Sequence, residues 1–381
     1  MKRICHVSPH LPPDQAANAL LPALLGAWAR ARGDEVRFVA HEPAQGGERP
    51  DRPDAAIAWV PRRPAPTRLG RFVPIGALPV VRNVERALDR AAAGVDLLHL
   101  HSNGLIIEVA ARFARRHRLP YVLTLYGTEI WHYRRRFPFD PFRRAYFGAN
   151  VVTFYSRLLM QRAQVLGLDR PQLSVVYPPV SDTFVPHDAT TRGRLRRELG
   201  IKEPRVIVNV KRLHPLAGQR HLIDAFAALT RGRDDVRLVV CGTGPLAADL
   251  ASQARAAGVG DRVTFTGLVA NDLVAKYCGV ADVFALPSLL EALPTVAVEA
   301  LASGTPVVSA DHPGGIELHE LFGDDVALVP REDAVALAAA LGSAIDRPRR
   351  TNTATADRLE QWFRPAAVMA AYDEVYRAAC G

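Results

Sequence analysis

The sequence predicts an α/β protein of two doubly wound domains, and three observations support this. Short β-branched runs alternate with Ala/Leu/Arg segments of helical period along most of the chain. A chain of 381 residues is too long for one core of ordinary size. Between two alternating runs lies YPPVSDTFVPHDATT, Tyr177 to Thr191, which is rich in Pro, Ser, Thr and Asp and has a linker's composition. The expected domains are 1–180 and 181–360, with an amphipathic helix in 361–381 expected to pack back across the first.

In the first half, strands are expected at Ile4–Val7, Val36–Ala40, Leu97–His101, Tyr121–Leu125 and Val151–Tyr155. Helices are expected at Ala19–Arg32, Val81–Ala93, Leu105–Arg116 and Leu158–Leu166, with Gly33 as a left-handed cap of the first. The second half shows strand patterns at Val206–Val210, Arg237–Cys241, Val263–Thr266, Val283–Leu286 and Val307–Ser309. Helical patterns fall between them at Leu222–Leu229, Leu246–Ala256 and Thr295–Ala302. In open α/β sheets ligands bind at the carboxyl ends of the strands, so two such domains facing each other would place a site in the cleft between them.

Composition narrows the class. Hydrophobic residues make up 49% and charged residues 23%, an ordinary globular balance. No run approaches the roughly 18 apolar residues needed to span a bilayer. MKRICHVSPH reads as a first strand and not as a signal peptide. Cys5, Cys241, Cys278 and Cys380 lack metal-ligand spacing, so reduced thiols in a cytosolic protein are expected. The net charge of +9 is carried almost wholly by arginine, in keeping with the codon bias of a GC-rich genome. It favours anionic partners without choosing among phosphates, nucleic acid and a membrane surface.

Four features of the second half fall at strand ends. Lys211 and Arg212 follow a strand, and two cations there suit a phosphate as well as a solvated turn. Gly242 and Gly244 form a tight strand-to-helix turn or a close approach to a ligand. VTFTGLV ends a strand at Gly267. Finally, a helix beginning near Pro294 and Thr295 would aim free N–H groups and a positive dipole end at an anion. Glu291 lies before it and Glu299 about one turn in, where carboxylates either accept hydrogen bonds from sugar hydroxyls or reach water.

Together KRL with AG, CGTGP, DRVTFTGLV, ADVFALPS, the Glu291/Glu299 pair, EALASGTPVVSA and GGIEL resemble the GT-B glycosyltransferases of family 4, most densely over Val206–Glu317. The resemblance implies two Rossmann-like domains, the first for an acceptor and the second for a nucleotide-sugar donor. It implies that Arg212, with Lys211 beside it, binds the donor diphosphate, that Glu291 contacts the donor sugar and that Glu299 contacts the ribose. The backbone across Ala292, Leu293, Pro294 and Thr295 would hold sugar and phosphate. Gly242 and Gly244 would line the donor site, and Thr266, Gly267 and Leu268 would meet the base. It further implies a retaining reaction with no metal and no cofactor beyond a UDP- or GDP-sugar, in a bacterial cytoplasmic enzyme. Three departures stand out: Ala217 replaces a lysine, the first loop PHLPPDQAANAL lacks a glycine pair, and Tyr126 replaces a histidine. Lys211 and Gln219 are the candidates to restore the lost cation contact, and if neither does, a non-catalytic donor-binding partner of another transferase is the alternative.

The first domain would then shape the acceptor site. Candidates at strand ends are His10, Asp14, His101, Tyr126, Thr128 and Glu129, with His101 either a base or a hydrogen-bonded structural histidine. WHYRRRFPFDPFRRAYF, Trp131 to Phe147, mixes arginines with aromatics. It suits peripheral contact with an anionic inner-membrane face, or an inward-packed helix-loop with solvated arginines. No nucleic-acid motif accompanies it, and no nucleic-acid partner is expected. Acceptors expected are a small natural product or sugar intermediate, or a lipid-linked or cell-envelope glycan.

Overall fold

The computed structural model describes residues 2–14, 17–43, 56–62 and 78–381. Part of the first loop, residues 15 and 16, lies outside them. The chain divides into two compact units, one of Met1–Pro178 with Val368–Gly381 and one of Pro179–Ala367.

The first unit is built on a parallel sheet of β1 (Arg3–Ser8), β2 (Glu35–His41), β3 (Ile57–Val60), β4 (Leu97–His101), β5 (Tyr121–Leu125), β6 (Val151–Phe154) and β7 (Leu173–Val175). Their order is β3-β2-β1-β4-β5-β6-β7, so the winding reverses at β1 and β4. These central strands are covered on both faces, which is why they read as nearly unbroken apolar runs. The closing helix Pro365–Cys380 lays Val368, Met369, Tyr372, Val375 and Tyr376 against Ile4, Leu25, Leu97 and Val122.

The second unit holds β8 (Arg205–Val210), β9 (Val236–Cys241), β10 (Val263–Gly267), β11 (Val283–Leu286), β12 (Val307–Ala310) and β13 (Val326–Val329). All are parallel, in the order β10-β9-β8-β11-β12-β13, so the winding reverses at β8 and β11. Ile207, Leu238, Val240 and Val283 meet Leu222, Phe226, Leu337 and Leu341 from the covering helices in one core. At the amino end of this sheet the buried Asp282 carboxylate accepts from Val206 N at 2.8 Å, Arg192 at 3.1 Å and Arg196 at 2.9 Å. This ties the helix Ala189–Glu198, which follows the linker, to the sheet.

The central strands fall where the sequence pattern predicts them. Three strands the pattern does not announce, β3, β7 and β13, are all sheet edges of three or four residues. An edge strand of that length buries too few side chains to write a period into the sequence.

The turns at the carboxyl ends of β8 and β9 pack backbone on backbone. Leu213 N donates to Thr243 O at 2.9 Å, and Gly242 N to Gly267 O at 2.8 Å. A Cβ on Gly242, whose φ is +140°, would stand 2.1 Å from Lys211 O, and one on Gly244 2.2 Å from Leu213 O. Backbone on both sides leaves nothing flexible to give way. Gly244→Ala is therefore expected to lower unfolding stability by about 1–3 kcal/mol, the usual cost of overpacking. Urea unfolding measures it, and an unchanged midpoint would mean that the turns are loosely held.

Candidate functional site

The site in the second unit sits at the reversal point, where the carboxyl ends of β8 and β11 diverge. β8 delivers Lys211 and Arg212. The Lys211 ammonium lies 2.5 Å from Glu291 Oε1, and Arg212 is exposed. After β11 the chain runs through Pro287–Pro294 into the helix Thr295–Ala302, whose start no side chain caps. Ala297 N already donates to Pro294 O at 3.0 Å, so the Thr295 and Val296 N–H groups and the positive dipole end are what this helix start can offer an anion.

Two hydrogen bonds fix the intervening loop. Leu289 N donates to Leu216 O at 2.8 Å, and Gly314 N donates to Glu291 O at 3.1 Å. The second comes from the first turn of the helix Pro313–Phe322, so the backbone carrying Glu291 is held from behind. Glu299 lies half-buried one turn into its helix, and desolvation raises its carboxyl pKa to about 7. A carboxyl poised near neutrality can donate one hydrogen bond or accept several, which suits vicinal hydroxyls.

Ala217, which stands in place of the expected lysine, is only 3% exposed and closes the short turn Pro215–Ala217. Gln219 is also buried, and its side-chain amide donates to Arg212 O at 3.2 Å. It braces the Arg212 backbone instead of reaching outward. Lys211 is the second cation beside Arg212. On the far side of β9, Thr266 is half-buried with its hydroxyl on Gly267 O at 3.1 Å, while the Leu268 side chain is 77% exposed. Ala292, Leu293 and Pro294 lie in the loop, and Thr295 opens the helix.

Sequence reasoning missed His312. It caps the helix Pro313–Phe322 by accepting from Gly315 N at 3.1 Å through Nδ1. Burial, then the positive charges of Lys211 and Arg331, lower its pKa to about 3, so the ring is neutral. A backbone N–H can only donate, so Nδ1 carries the lone pair and Nε2 the proton. That Nε2–H and the Ser288 hydroxyl are buried polar atoms without a partner among the described residues. The His-Pro-Gly-Gly run was a legible cap signal, because Pro is favoured at the first helical position.

In the first unit His10 Nδ1–H donates to Asp14 Oδ2 at 2.7 Å, and Arg62 donates to the same oxygen at 2.9 Å. These residues follow β1 and β3 and make a polar group at that sheet's carboxyl edge. Arg62 was not singled out because β3, which positions it, has no visible pattern. Thr128 is exposed, whereas Glu129 is buried and accepts from the Tyr126 and Gly127 amides at 3.3 and 2.8 Å. The Tyr126 hydroxyl turns inward onto His101 Nδ1 at 2.8 Å.

Of the two roles expected for His101, a base or a hydrogen-bonded structural histidine, the geometry fits the second and corrects the first. The ring is fully buried, with Nε2 on His6 Nδ1 at 3.0 Å and Nδ1 on Tyr126. His99 bonds Tyr376 at 2.8 Å and Thr124 at 2.7 Å. One ring nitrogen from each of His6, His99 and His101 lies within 4.8 Å of the other two. Burial holds all three well below the usual imidazole range. They form a neutral hydrogen-bonded layer that fastens the closing helix through Tyr376, and they leave His101 no nitrogen for a ligand.

The raised Glu299 pKa has a definite sign. The folded chain binds this proton more tightly than the unfolded chain, so stability is full below the ordinary glutamate pKa and declines as pH rises to about 7. Glu299→Gln is expected to remove that decline, a gain of order 1–3 kcal/mol at neutral pH and little near pH 4. Urea midpoints across this range check it, and parallel curves for both proteins would contradict it.

Comparison with known proteins identifies the family. Residues 191–360 match the model of glycosyl transferases group 1, and residues 23–184 that of Glycosyltransferase Family 4. The GDP-mannose-dependent alpha-(1-6)-phosphatidylinositol monomannoside mannosyltransferase of Mycobacterium tuberculosis is 36% identical over 225 residues, 52% of this chain and 57% of that protein. The 2-deoxystreptamine N-acetyl-D-glucosaminyltransferase of Streptomyces fradiae is 30% identical over 276 residues, 67% of this chain and 65% of that protein. The matches thus span less than two thirds of these relatives' lengths. Among solved structures, HepE of Anabaena in complex with UDP and glucose superposes with a TM-score of 0.75 at 21% identity, covering 99% of this chain and 100% of that one. On the two family models and the two doubly wound sheets, the chain belongs to glycosyltransferase family 4 and has the GT-B fold.

Proposed function

We propose that the protein is a retaining, metal-independent hexosyltransferase of the cytoplasm, moving a sugar from a UDP- or GDP-sugar to a hydroxyl acceptor. One observation carries the reading. Arg212, the Lys211–Glu291 pair and the uncapped start of Thr295–Ala302 meet at the reversal point of one sheet, with Glu299 one turn deeper. In this reading the cations and the helix start hold the diphosphate, Glu291 accepts from sugar hydroxyls, and Glu299 engages the ribose. The base lies along Gly267 and Leu268.

The bond from the anomeric carbon to the phosphate oxygen breaks as the acceptor oxygen bonds on the same face. The acceptor's proton passes to the departing diphosphate. Charge grows on that leaving group, and fixed cations and amide dipoles aimed at it lower the barrier. Support for a nucleotide sugar comes from HepE, solved with UDP and with UDP-glucose, and from the mycobacterial relative, whose name specifies GDP-mannose. That relative and the Streptomyces one point to the two acceptor classes, a lipid-linked glycan and a small natural product. No helix among the described residues is long and apolar enough to cross a membrane.

The cation-free turn at Ala217 favours a second reading, a non-catalytic donor-binding partner. Turnover separates the two. The chain alone, in chelator, is expected to release nucleoside diphosphate from one donor and to give a product of unchanged anomeric configuration by NMR. Arg212→Ala is expected to cost at least tenfold in turnover, since a charge-assisted contact is worth more than about 1.4 kcal/mol. Full turnover in that variant would remove Arg212 from the reaction, and no turnover with any donor would favour the second reading.

A further inference from the structure

The segment from Trp131 to Phe147 projects a side-chain set that the fold does not use. Phe137 is 88% exposed, the most open of the large hydrophobic side chains among the described residues, and Phe139 is 65% exposed. The segment is nevertheless held in shape. Asp140 caps the helix Pro141–Gly148 by accepting from Arg143 N at 3.0 Å, and it also accepts from the Tyr133 hydroxyl at 2.7 Å and from Arg136 N at 3.3 Å. Tyr133 packs on the buried Phe142 behind it. The base of the loop is therefore anchored, while its tip carries two phenyl rings outward.

The surrounding charge is mainly positive. Arg134, Arg135 and Arg136 are exposed, the Arg144 guanidinium lies 4.9 Å over the Phe139 ring, and that of Arg143 lies 4.5 Å over Phe147. Asp140 is the segment's single carboxylate, and it is buried and occupied by its three donors. Glu108, on the helix Leu105–His117, is the acidic group that faces Arg136.

We infer that this loop docks the protein on an anionic lipid bilayer. Phe137 and Phe139 would enter the interfacial layer while the arginines reach headgroup phosphates, their apolar stems lying along the rings. Charge complementarity selects this occupant. A protein interface concentrates its aromatic anchors in desolvated pockets inside a mixed polar rim, whereas these rings protrude and the exposed charges beside them, Arg134, Arg135, Arg136 and Arg144, are cationic. The inference does not depend on the proposed transfer reaction, because binding is read without any sugar donor.

The test is co-sedimentation of the full chain with phosphatidylcholine vesicles, with and without phosphatidylglycerol. The chain is expected to sediment with the anionic vesicles alone and to be released by salt. Replacing Arg134, Arg135 and Arg136 by Ser should weaken binding roughly a hundredfold, at about 1 kcal/mol for each charge near the surface. The pair Phe137→Ser and Phe139→Ser should weaken it at least tenfold. Unfolding midpoints should not move, since these side chains are exposed. Wild-type protein that ignores anionic vesicles, or a Phe pair variant that binds them undiminished, would overturn the inference. So would a dimer that the Phe pair variant breaks, or preferential capture of single-stranded oligo(dT), since each assigns the loop to a different partner.

Discussion

The candidate donor site depends on a backbone constraint, the contact between the turns that follow β8 and β9. Carbonyls of Lys211 and Leu213 press on Gly242 and Gly244 at distances that admit no side chain. That contact fixes where β8 ends and therefore where Lys211 and Arg212 emerge. Gln219 then braces the Arg212 carbonyl from the following helix. The loop after β11 is pinned in the same manner, by backbone bonds from Leu289 to Leu216 and from Gly314 to Glu291. The groups proposed above to meet a diphosphate and two sets of hydroxyls are thus placed by main chain, and little flexibility is left to be lost on binding.

The electrostatics follow from that placement. Lys211 and Glu291 neutralise one another at 2.5 Å, which keeps the carboxylate of the loop oriented and leaves Arg212 as the exposed cation. Burial raises the Glu299 carboxyl to about 7, and burial with the neighbouring cations Lys211 and Arg331 keeps the His312 ring neutral, the directions expected for an acid and a base. The region therefore combines a small positive charge with several uncharged donors and acceptors. That balance fits a ligand whose charge sits on a diphosphate and whose flanks are polyhydroxylated.

Much of this was legible in the sequence, for identifiable reasons. The buried parallel strands are continuous apolar runs, and the loops that follow them carry Gly, Pro and paired charges at fixed spacing. The edge strands were not legible, and with β3 went Arg62, which joins His10 and Asp14 only through that strand. Between the two roles open to His101 the sequence could not choose, because a strand-end position does not reveal which way a side chain turns. The bonds of His101 to His6, on the neighbouring strand, and to Tyr126 are tertiary facts. The role of Gln219 was similarly hidden, since the choice between reaching outward and bracing a carbonyl depends on a turn geometry that one sequence does not specify.

The most direct test of the central claim, that the reversal point of the second sheet is a nucleoside-diphosphate site, is thermal unfolding with UDP, GDP, ADP and TDP beside their monophosphates. Ligand at a hundred times its dissociation constant adds about 2.7 kcal/mol of stability. The account predicts that one diphosphate raises the unfolding temperature and that its monophosphate, lacking the second phosphate for Arg212 and the helix start, does so much less. Equal shifts for diphosphate and monophosphate, or no shift with any of them, would contradict it.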